Sequence, residues 1–374
     1  MKTYFVTGAT GAIGSALIPI LLQDTQGKET RVRLLLRAKS SEDLALRLEA
    51  LFSFWQTHAD DIPTRSRVKA LRGDVTLPRL GLDEADYQAL CAECTHIVHS
   101  AGNVRMNLPI EQARHSSVDS AQNIIALAHD SPRLEKVEFV STVGVGGRTH
   151  GAVPEEWILT PRGFHNTYEQ AKAEAEDVIR AELEHGMALT VHRPSMVVGD
   201  TISGRIIHFQ VFYHLCEFLS GRRTLGLAPG FGVARLDIVP ADYVAKIIAW
   251  SSGTDITIGR ILHSCSGPDL ALPLVPLRET VRQAFVAAGR ALPPVINLPT
   301  SVFRALLTGV SFFMPAETRR AIKTLPVFLD YLATEQSFSN CNTTALLATP
   351  GLAVPPPHSY LDKVLAYYLG RIQV

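Results

Sequence analysis

A glycine-rich turn directly after the first short strand is the feature that most constrains the fold of this chain. Residues 7–14 read Thr-Gly-Ala-Thr-Gly-Ala-Ile-Gly, follow an apolar run at residues 4–6 and precede a helix predicted over residues 15–23. Glycines at this spacing let the backbone turn sharply and approach a pyrophosphate, which then lies at the amino terminus of the helix. The turn therefore predicts a dinucleotide-binding unit. The expected cofactor contacts within it are Gly8, Thr10, Gly11, Ile13 and Gly14.

Short runs rich in Val, Ile and Leu recur after this turn, and segments with helical character separate most of them. The alternation predicts an α/β fold with a doubly wound parallel sheet, the Rossmann arrangement. The predicted strands are residues 4–6, 32–36, 68–71, 96–99, 137–140 and 189–192. Beyond them we expect a helix at 206–219 and a strand at 235–239 that returns to the sheet, with 261–264 as a further candidate strand.

The break in this rhythm predicts two units. Residues 1–200 plus 235–265 are expected to form the nucleotide-binding Rossmann domain. Residues 201–234 plus 266–374, mostly helical and interrupted by prolines, are expected to form a smaller substrate-binding cap. In the cap, Phe303, Leu306, Leu307 and Val310 recur at helical spacing, and Phe312, Phe313 and Met314 follow. This apolar stripe is either the core of the cap or the wall of a tunnel for an apolar chain.

The charge balance and the cysteines exclude several classes of protein. Lys plus Arg equals Asp plus Glu, at 36 each, so nucleic acid and anionic membranes are not expected as partners. Five scattered cysteines, and a strand in place of a signal peptide, indicate a reducing cytoplasm. The longest apolar stretch, residues 305–314, is about half the length that spans a bilayer. Cys91, Cys94, His96 and His99 lack zinc-site spacing, and we predict no metal.

The end of the second predicted strand indicates which dinucleotide binds. It reads Leu36-Arg37-Ala38-Lys39-Ser40, with no acidic residue to hold a free ribose 2′-hydroxyl. Arg37 can offer a bidentate guanidinium to a 2′-phosphate, so the sequence predicts NADP. Lys39 and Ser40 are candidate helpers, although Lys39 is equally consistent with a solvated turn lysine.

Two further strand ends are expected to contact the cofactor. Asp74 and Val75 follow the third strand, where an adenine would lie and a carboxylate can accept from its amine. Ser100, Ala101 and Gly102 follow the fourth strand, where small residues let the backbone pass close to the cofactor.

Tyr168 and Lys172 lie one turn apart on a predicted helix over residues 166–186, with Asn166 or Thr167 as the N-cap. Lys172 borders the apolar stripe of this helix, so its ammonium needs a polar partner. A neighbouring ammonium lowers the pKa of a phenol from near 10 toward the working pH. Tyr168 is therefore a candidate proton donor.

A hydroxyl group is expected beside this phenol. Thr142 ends the fifth strand, at the edge of a parallel sheet where ligands bind. Ser141 is the alternative hydroxyl. Together with the glycine turn, the three candidate catalytic residues Thr142, Tyr168 and Lys172 predict an enzyme that transfers a hydride.

This Thr-Tyr-Lys set resembles that of the short-chain dehydrogenase/reductase superfamily, and the large C-terminal part resembles its extended branch. Residues 73–82, Gly-Asp-Val-Thr-Leu-Pro-Arg-Leu-Gly-Leu, resemble the GDxxxPxLGL signature of the thioester reductase and fatty acyl-CoA reductase group. This group includes the terminal reductase domains of carboxylic acid reductases and nonribosomal peptide synthetases. Further matches are residues 96–104, 193–195, 198–200 and 236–244, so the resemblance covers about residues 1–250.

The resemblance implies NADPH-dependent reduction of an acyl thioester to an aldehyde, and to an alcohol if a second hydride follows. It also implies that Lys172 holds the ribose hydroxyls and that Arg193, Pro194 and Ser195 lie beside the nicotinamide. Because the chain begins on the first strand, we expect a separate carrier protein or coenzyme A to deliver the thioester.

The chain departs from the group at one position. Ser117 stands where relatives have an Asn that orders a helix and a water chain near the active-site lysine, so the resemblance implies a different proton resupply here. Asn123 is expected to be a helix-packing amide.

Two other functions remain open. The first is reduction of a ketone or hydroxysteroid, or chemistry on a nucleotide sugar, whose pyrophosphate Arg222 and Arg223 would hold; the apolar stretch near residues 303–314 favours a lipid-like chain instead. The second is an NADP-binding regulator without turnover, which the Tyr168–Lys172 pair argues against.

Overall fold

The alternation of apolar runs and helix-forming segments produces parallel strands joined by helices. This computed structural model describes residues 1–23, 29–149, 151–299, 301–303, 305 and 337–372. Its strands are β1 (Lys2–Thr7), β2 (Thr30–Leu36), β3 (Val68–Arg72), β4 (His96–His99), β5 (Lys136–Val140), β6 (Ala152–Val153), β7 (Leu189–Pro194), β8 (Met196–Val198), β9 (Leu227–Pro229), β10 (Arg235–Leu236), β11 (Ile238–Pro240), β12 (Ile261–Ser264), β13 (Leu272–Pro273), β14 (Ile296–Leu298) and β15 (Ser337–Phe338).

Seven of these strands form one parallel sheet in the order β12-β7-β5-β4-β1-β2-β3. The chain runs outward from β1 through β2 to β3, and then crosses back to start the other half of the sheet at β4. The neighbours β1 and β4 therefore mark the switch point of a doubly wound sheet, where a crevice opens at the carboxyl ends of the strands. The predicted Rossmann fold is confirmed, as are the six predicted strands and the seventh candidate.

Helices connect and cover the strands. They are α1 (Ala12–Gln23), α2 (Ser41–Trp55), α3 (Ile62–Arg65), α4 (Glu84–Glu93), α5 (Ile110–Arg114), α6 (Ser120–Asp130), α7 (Thr167–Glu184), α8 (Val211–Leu219), α9 (Ala241–Ser252), α10 (Gly267–Leu270), α11 (Leu274–Ala287), α12 (Cys341–Leu347) and α13 (Leu361–Arg371). A single π-helical turn, His115–Asp119, lies between α5 and α6.

Alternating side chains of each strand pack against opposite layers of helices. On β1, Val6 belongs to the apolar cluster that includes α1 and α9, whereas Phe5 belongs to the cluster that includes α4, α6 and α7. Both side chains have no exposed surface. Burial of such a side chain contributes about 1.5–3 kcal/mol, so the two-residue period of the strands fixes which face each residue stabilises.

Two predicted elements differ from the structure. The segment predicted as a strand at 235–239 does not return to the large sheet: β10 pairs with β13, and β11 pairs with β8. Asp237 separates the two strands because its buried carboxylate accepts from the backbone N–H groups of Ser266 and Gly267, both at 2.8 Å. The helix predicted at 206–219 begins only at Val211.

The C-terminal segment packs against the edge of the large sheet. β15 pairs with β6, and the N–H of Ser339 donates to the carbonyl of Val153 at 3.0 Å. The buried Glu155 carboxylate accepts from the backbone N–H groups of Asn342 and Thr343, at 2.7 and 2.8 Å, and from the Thr343 hydroxyl. Glu155 therefore satisfies the free N–H groups at the start of α12.

Part of the predicted cap lies outside the described residues. This holds for Leu306, Leu307, Val310, Phe312, Phe313 and Met314 of the apolar stripe. Phe303 is described and is buried against Phe218, with ring centroids 6.0 Å apart. The division of the chain at residues 200, 235 and 265 stays a prediction. Among the described residues no helix is long and apolar enough to cross a bilayer.

Replacement of Glu155 tests how much the C-terminal segment stabilises the fold. Glu155→Ala leaves the buried N–H of Thr343 and the more exposed N–H of Asn342 without an acceptor, so the free energy of unfolding should fall by about 1–3 kcal/mol in a urea titration. The neighbouring Glu156 is exposed, and Glu156→Ala should change the free energy of unfolding by no more than about 0.5 kcal/mol. Equal effects of the two variants would contradict this role for Glu155.

Candidate active site

Two connected cavities lie at the carboxyl edge of the large sheet, over the switch point. The larger has a volume of about 590 Å³ and extends from the glycine turn toward β2 and β3. The smaller, about 220 Å³, extends toward β5, β7 and α8. Both are lined by Gly11, Ser100, Gly102 and Val104. The two cavities form one cleft of the size that holds a small-molecule ligand.

The glycine turn allows unusually close backbone packing at the centre of this cleft. Gly8 has a φ of 74°, and a Cβ placed on it would lie 2.6 Å from the backbone of Ser100 and Ala101. A Cβ on Gly14 would lie 2.3 Å from the carbonyl oxygen of Gly8. Neither position accepts a larger residue, so the turn holds α1 with its amino terminus toward the cleft. This geometry fits a pyrophosphate.

Three arginines line the larger cavity: Arg37 and Arg47 lie near the end of β2, and Arg105 follows β4. Arg37, exposed after β2, lines it as predicted, and so does Arg47 on α2. Arg47 also contacts Asp43 at 3.1 Å. Arg47 was not identified from the sequence because it lies in a helix with no motif around it. Lys39 lines neither cavity.

Asp74 and Val75 line the larger cavity where β3 ends, next to the end of β2. Oδ1 of Asp74 accepts from both the N–H and the hydroxyl of Thr76, each at 3.0 Å, which leaves Oδ2 without a hydrogen bond to a described residue. The Asn123 amide donates to the carbonyl of Val75 at 2.9 Å. Asn123 thus packs α6 against this loop, as expected.

The position of Tyr168 is fixed by the way in which α7 begins. Asn166 is the N-cap, and its side-chain oxygen accepts from the N–H of Glu169 at 2.9 Å. The Glu169 carboxylate in turn accepts from the N–H of His165 at 2.9 Å and from the Asn166 amide at 3.1 Å. This reciprocal pattern resembles a capping box, with the N–H of the residue before the N-cap as the donor to Glu169. It holds Tyr168 in the first turn of α7, facing the smaller cavity.

The protonation of Tyr168 differs from the sequence prediction. We predicted that Lys172 lowers the pKa of the phenol, but burial, together with the charge of Glu169, raises that pKa to about 12. A hydrogen bond with Thr142 lowers it in part. Desolvation of the phenolate therefore outweighs the hydrogen bond with Thr142. The phenol stays protonated across the physiological range, as a proton donor requires.

Lys172 lies one turn further along α7 and is buried. Its ammonium donates to the carbonyl of Val140 at 3.0 Å and lies 5.3 Å from the centre of the Phe139 ring. It makes no other hydrogen bond to a described residue. Burial lowers the pKa of Lys172 to about 8, and Glu176 offsets part of that effect. The polar partner that the sequence required is the Val140 carbonyl, and further N–H groups remain available.

His99 adjoins Lys172 at the end of β4. Its Nδ1 lies 2.8 Å from the Thr7 hydroxyl, which also accepts from the N–H of Ala101 at 3.2 Å. Burial, together with the charge of Lys172, lowers the pKa of His99 to about 3. A neutral ring is therefore maintained beside the ammonium.

The other nitrogen of His99 reaches the π-helical turn. Its Nε2 lies 3.5 Å from the hydroxyl of Ser120, which donates to the carbonyls of Ser116 and Ser117 at 2.9 and 3.0 Å. Because Ser120 has one proton to give, His99 must donate from Nε2 and accept at Nδ1. Ser117 itself is buried. The hydrogen bonds from Thr7 through His99 to Ser120 connect β1, β4 and the π-helical turn. That Ser117 changes how protons are resupplied to the active site stays a prediction.

Arg193 is not beside the cleft, contrary to the sequence prediction. Its side chain is fully buried, and its guanidinium forms two hydrogen bonds to Glu176, at 2.9 and 2.6 Å. A third hydrogen bond, at 3.0 Å, reaches the carbonyl of Glu156. Arg193 therefore anchors α7 and a neighbouring loop. Pro194 and Ser195 do line the smaller cavity.

Both candidate hydroxyls at the end of β5 line the smaller cavity. Thr142 accepts from the N–H of Gly144 at 3.2 Å and also hydrogen-bonds Tyr168. Ser141 is buried, and its hydroxyl has no hydrogen-bond partner among the described residues. Thr142 is therefore the hydroxyl that meets the phenol.

The outer wall of the smaller cavity is mainly apolar. It is formed by Val104, Met106, Gln210 and Val211. Gln210, just before α8, was not identified from the sequence, since a lone glutamine in a loop carries no motif.

Comparison with known proteins supports the sequence resemblance. The model of the NAD-binding family described as "Male sterility protein" matches residues 6–248. The chain is 32% identical over 203 residues to isonitrile lipopeptide synthase of Streptomyces coeruleorubidus, which covers 54% of this chain and 13% of that protein. It is 27% identical over 294 residues to the fatty acyl-CoA reductase wat of Drosophila melanogaster, which covers 70% of this chain and 54% of that protein. The chain thus spans only part of these relatives.

A solved structure shares the fold over nearly the whole chain. The terminal R domain of the myxalamid PKS-NRPS biosynthetic pathway superposes with a TM-score of 0.81 at 24% identity, covering 99% of this chain and 91% of that domain.

The charge of Lys172 predicts how dinucleotide binding depends on pH. The ammonium, with its pKa lowered to about 8, is present below that pH and is lost above it. The dissociation constant for a nicotinamide dinucleotide, measured by fluorescence titration, should therefore rise as pH passes from about 7 to about 9. Lys172→Met should bind more weakly and show little change over this interval. The same pH dependence in both proteins would contradict the assignment.

Proposed function

The chain belongs to the "Male sterility protein" family of NAD(P)-binding, extended short-chain dehydrogenase/reductases, and from that premise we propose that it reduces acyl thioesters to aldehydes. The observation that carries the proposal is the cleft itself. Thr142, Tyr168 and Lys172 line the same cavity as the glycine turn, so a hydroxyl, a protonated phenol and an ammonium lie next to a dinucleotide site. Such a set suits hydride addition to a carbonyl carbon.

The bound cofactor supplies the hydride, and the other tasks fall to residues of the chain. Thr142 and Tyr168 hydrogen-bond the carbonyl oxygen and stabilise the negative charge that develops on it. Tyr168 gives its proton to that oxygen. The carbon–sulfur bond then breaks, and the thiol and the aldehyde leave. One hydride and one proton are consumed, and a second round would convert the aldehyde to an alcohol.

The proposed cofactor is NADP. Arg37 and Arg47 line the same end of the larger cavity, and two guanidinium groups can bind a 2′-phosphate through charge-assisted hydrogen bonds. The described residues that line this cavity include one carboxylate, Asp74, at the position proposed for the adenine. The proposed contacts to the rest of the cofactor are Gly8, Thr10, Gly11, Ile13, Gly14, Val75, Ser100, Ala101, Gly102, Tyr168, Lys172, Pro194 and Ser195.

The proposed substrate is a thioester carried by a carrier protein or by coenzyme A. Two relatives are, by name, a lipopeptide synthase and a fatty acyl-CoA reductase. The apolar outer wall of the smaller cavity suits an acyl chain. The buried thiols Cys91, Cys94, Cys216 and Cys265 are free, which supports a reducing location such as the cytoplasm.

The proposal is tested with a substrate panel and one variant. Oxidation of NADPH should occur with acyl-coenzyme A or acyl-carrier thioesters, and an aldehyde should be detected. Tyr168→Phe should lower turnover by about 10²- to 10⁴-fold, with the dissociation constant for NADPH changed by less than about twofold. Tyr367→Phe removes a phenol outside the cleft and should retain activity.

Two results would refute this assignment. Turnover of ketones or nucleotide sugars, with none of any thioester, would favour another substrate class. Substantial activity of Tyr168→Phe on every substrate would remove Tyr168 as the proton donor.

The cofactor proposal predicts a strong preference for NADPH over NADH, by about ten- to more than a hundredfold in dissociation constant. Arg37→Ala and Arg47→Ala should each weaken NADPH binding while leaving NADH binding nearly unchanged, because only NADPH carries the 2′-phosphate. Arg31→Ala is the control, since Arg31 pairs with Glu29 outside the cavity. Equal affinity of the unaltered protein for both cofactors would contradict the proposal.

A further inference from the structure

Most polar side chains of the smaller cavity already have a role. Tyr168, Thr142 and Lys172 form the proposed catalytic set. The Ser100 hydroxyl donates to the carbonyl of Thr7 at 2.8 Å, and the Glu169 carboxylate is engaged in the cap of α7. Ser141 and Ser195 lie on the sheet side of the cleft, next to the proposed nicotinamide position.

Gln210 differs from all of these in position. It precedes α8, on the opposite wall of the cleft, and is partly exposed. Its backbone carbonyl accepts from the N–H of Tyr213 at 3.0 Å, so the start of α8 holds it in place. Its side-chain amide makes no hydrogen bond to any other described residue.

The surroundings of Gln210 limit what its amide can bind. Its neighbours on this wall, among them Val104, Met106 and Val211, are apolar. A polar group of a substrate that enters here loses water and needs a hydrogen-bond partner. A glutamine amide donates through nitrogen and accepts through oxygen. It can therefore satisfy both the N–H and the C=O of a secondary amide.

We propose that Gln210 is a specificity-determining residue that binds the secondary amide of the pantetheine arm, next to the thioester sulfur. The inference rests on the proposed function, because a thioester on coenzyme A or on a carrier protein presents this amide two carbons from sulfur. Thr142 and Tyr168 then hydrogen-bond the thioester carbonyl from the sheet side of the cleft. The Gln210 amide holds the leaving thiol from the opposite wall.

Two matched thioesters test this inference directly. An acyl N-acetylcysteamine thioester carries the amide, whereas the S-butyl thioester of the same acyl group does not. Gln210→Met keeps the length of the side chain and removes the amide. It should lower kcat/KM for the N-acetylcysteamine thioester about five- to tenfold, mainly through KM, and leave kcat/KM for the S-butyl thioester within about twofold.

Two further measurements provide a control variant and compare coenzyme A with a carrier protein as the source of the pantetheine. His214→Leu removes an exposed polar group from the same helix and should leave both substrates unaffected. Gln210→Met should lower kcat/KM in the same way for acyl-coenzyme A and for an acyl-carrier thioester, and the better of these two substrates identifies the natural source.

The possible failures are distinguishable. If thioesters are reduced but Gln210→Met affects the amide-bearing and S-butyl substrates equally, the inference is wrong and the proposed function stands. If neither thioester gives an aldehyde with the unaltered protein, the proposed function fails, and the inference fails with it.

Discussion

Lys172 carries its ammonium to a place that water barely reaches, where the ends of β4 and β5 meet, and the surrounding cleft is arranged around that charge. Burial lowers its pKa to about 8, which corresponds to about 3 kcal/mol against the charged form. The Val140 carbonyl and the Phe139 ring offset part of this cost, and His99 stays neutral beside it. The protonated form of Lys172 is therefore only slightly favoured at neutral pH. A ligand that accepts hydrogen bonds from its remaining N–H groups gains more binding free energy there than it would at the surface.

A second buried lysine shows what a purely structural ammonium looks like in the same sheet. Lys136 donates to the carbonyls of Ser251 and Thr254 and to the hydroxyl of Thr257, at 2.6–2.7 Å, and it lies 3.2 Å from the Glu138 carboxylate. Its hydrogen-bonding capacity is used within the protein. Lys172 has one such acceptor, and it faces a cavity. Lys136 lies at the amino end of β5, where it stabilises the fold. Lys172 lies near the carboxyl end of the same strand, where its ammonium is available to a ligand.

Features that depend on local sequence were predictable. The strand run, the glycine turn, the Asn166 cap and the Tyr168–Lys172 spacing are each set by residues within one or two turns of each other. Predictions that depended on where a side chain points, or on how deeply it is buried, were wrong for Arg193 and Tyr168. Arg193 is the penultimate residue of β7, and its guanidinium turns away from the cleft because Glu176 on α7 lies within hydrogen-bond distance. Likewise, a charge-based argument predicted a lowered pKa for Tyr168, whereas the depth of the phenol, which sequence does not reveal, raises that pKa.

Arg47 and Gln210 were missed for a related reason: each reaches the cleft from an element whose own sequence is ordinary. Arg47 comes from the helix after β2, and Gln210 from the loop before α8, and both reach the cleft only because these elements pack over the carboxyl edge of the sheet. The sheet side of the cleft is built from short motifs, so its residues can be predicted from the sequence. The opposite walls come from separate segments, so chains that share the residues of the sheet side can differ there.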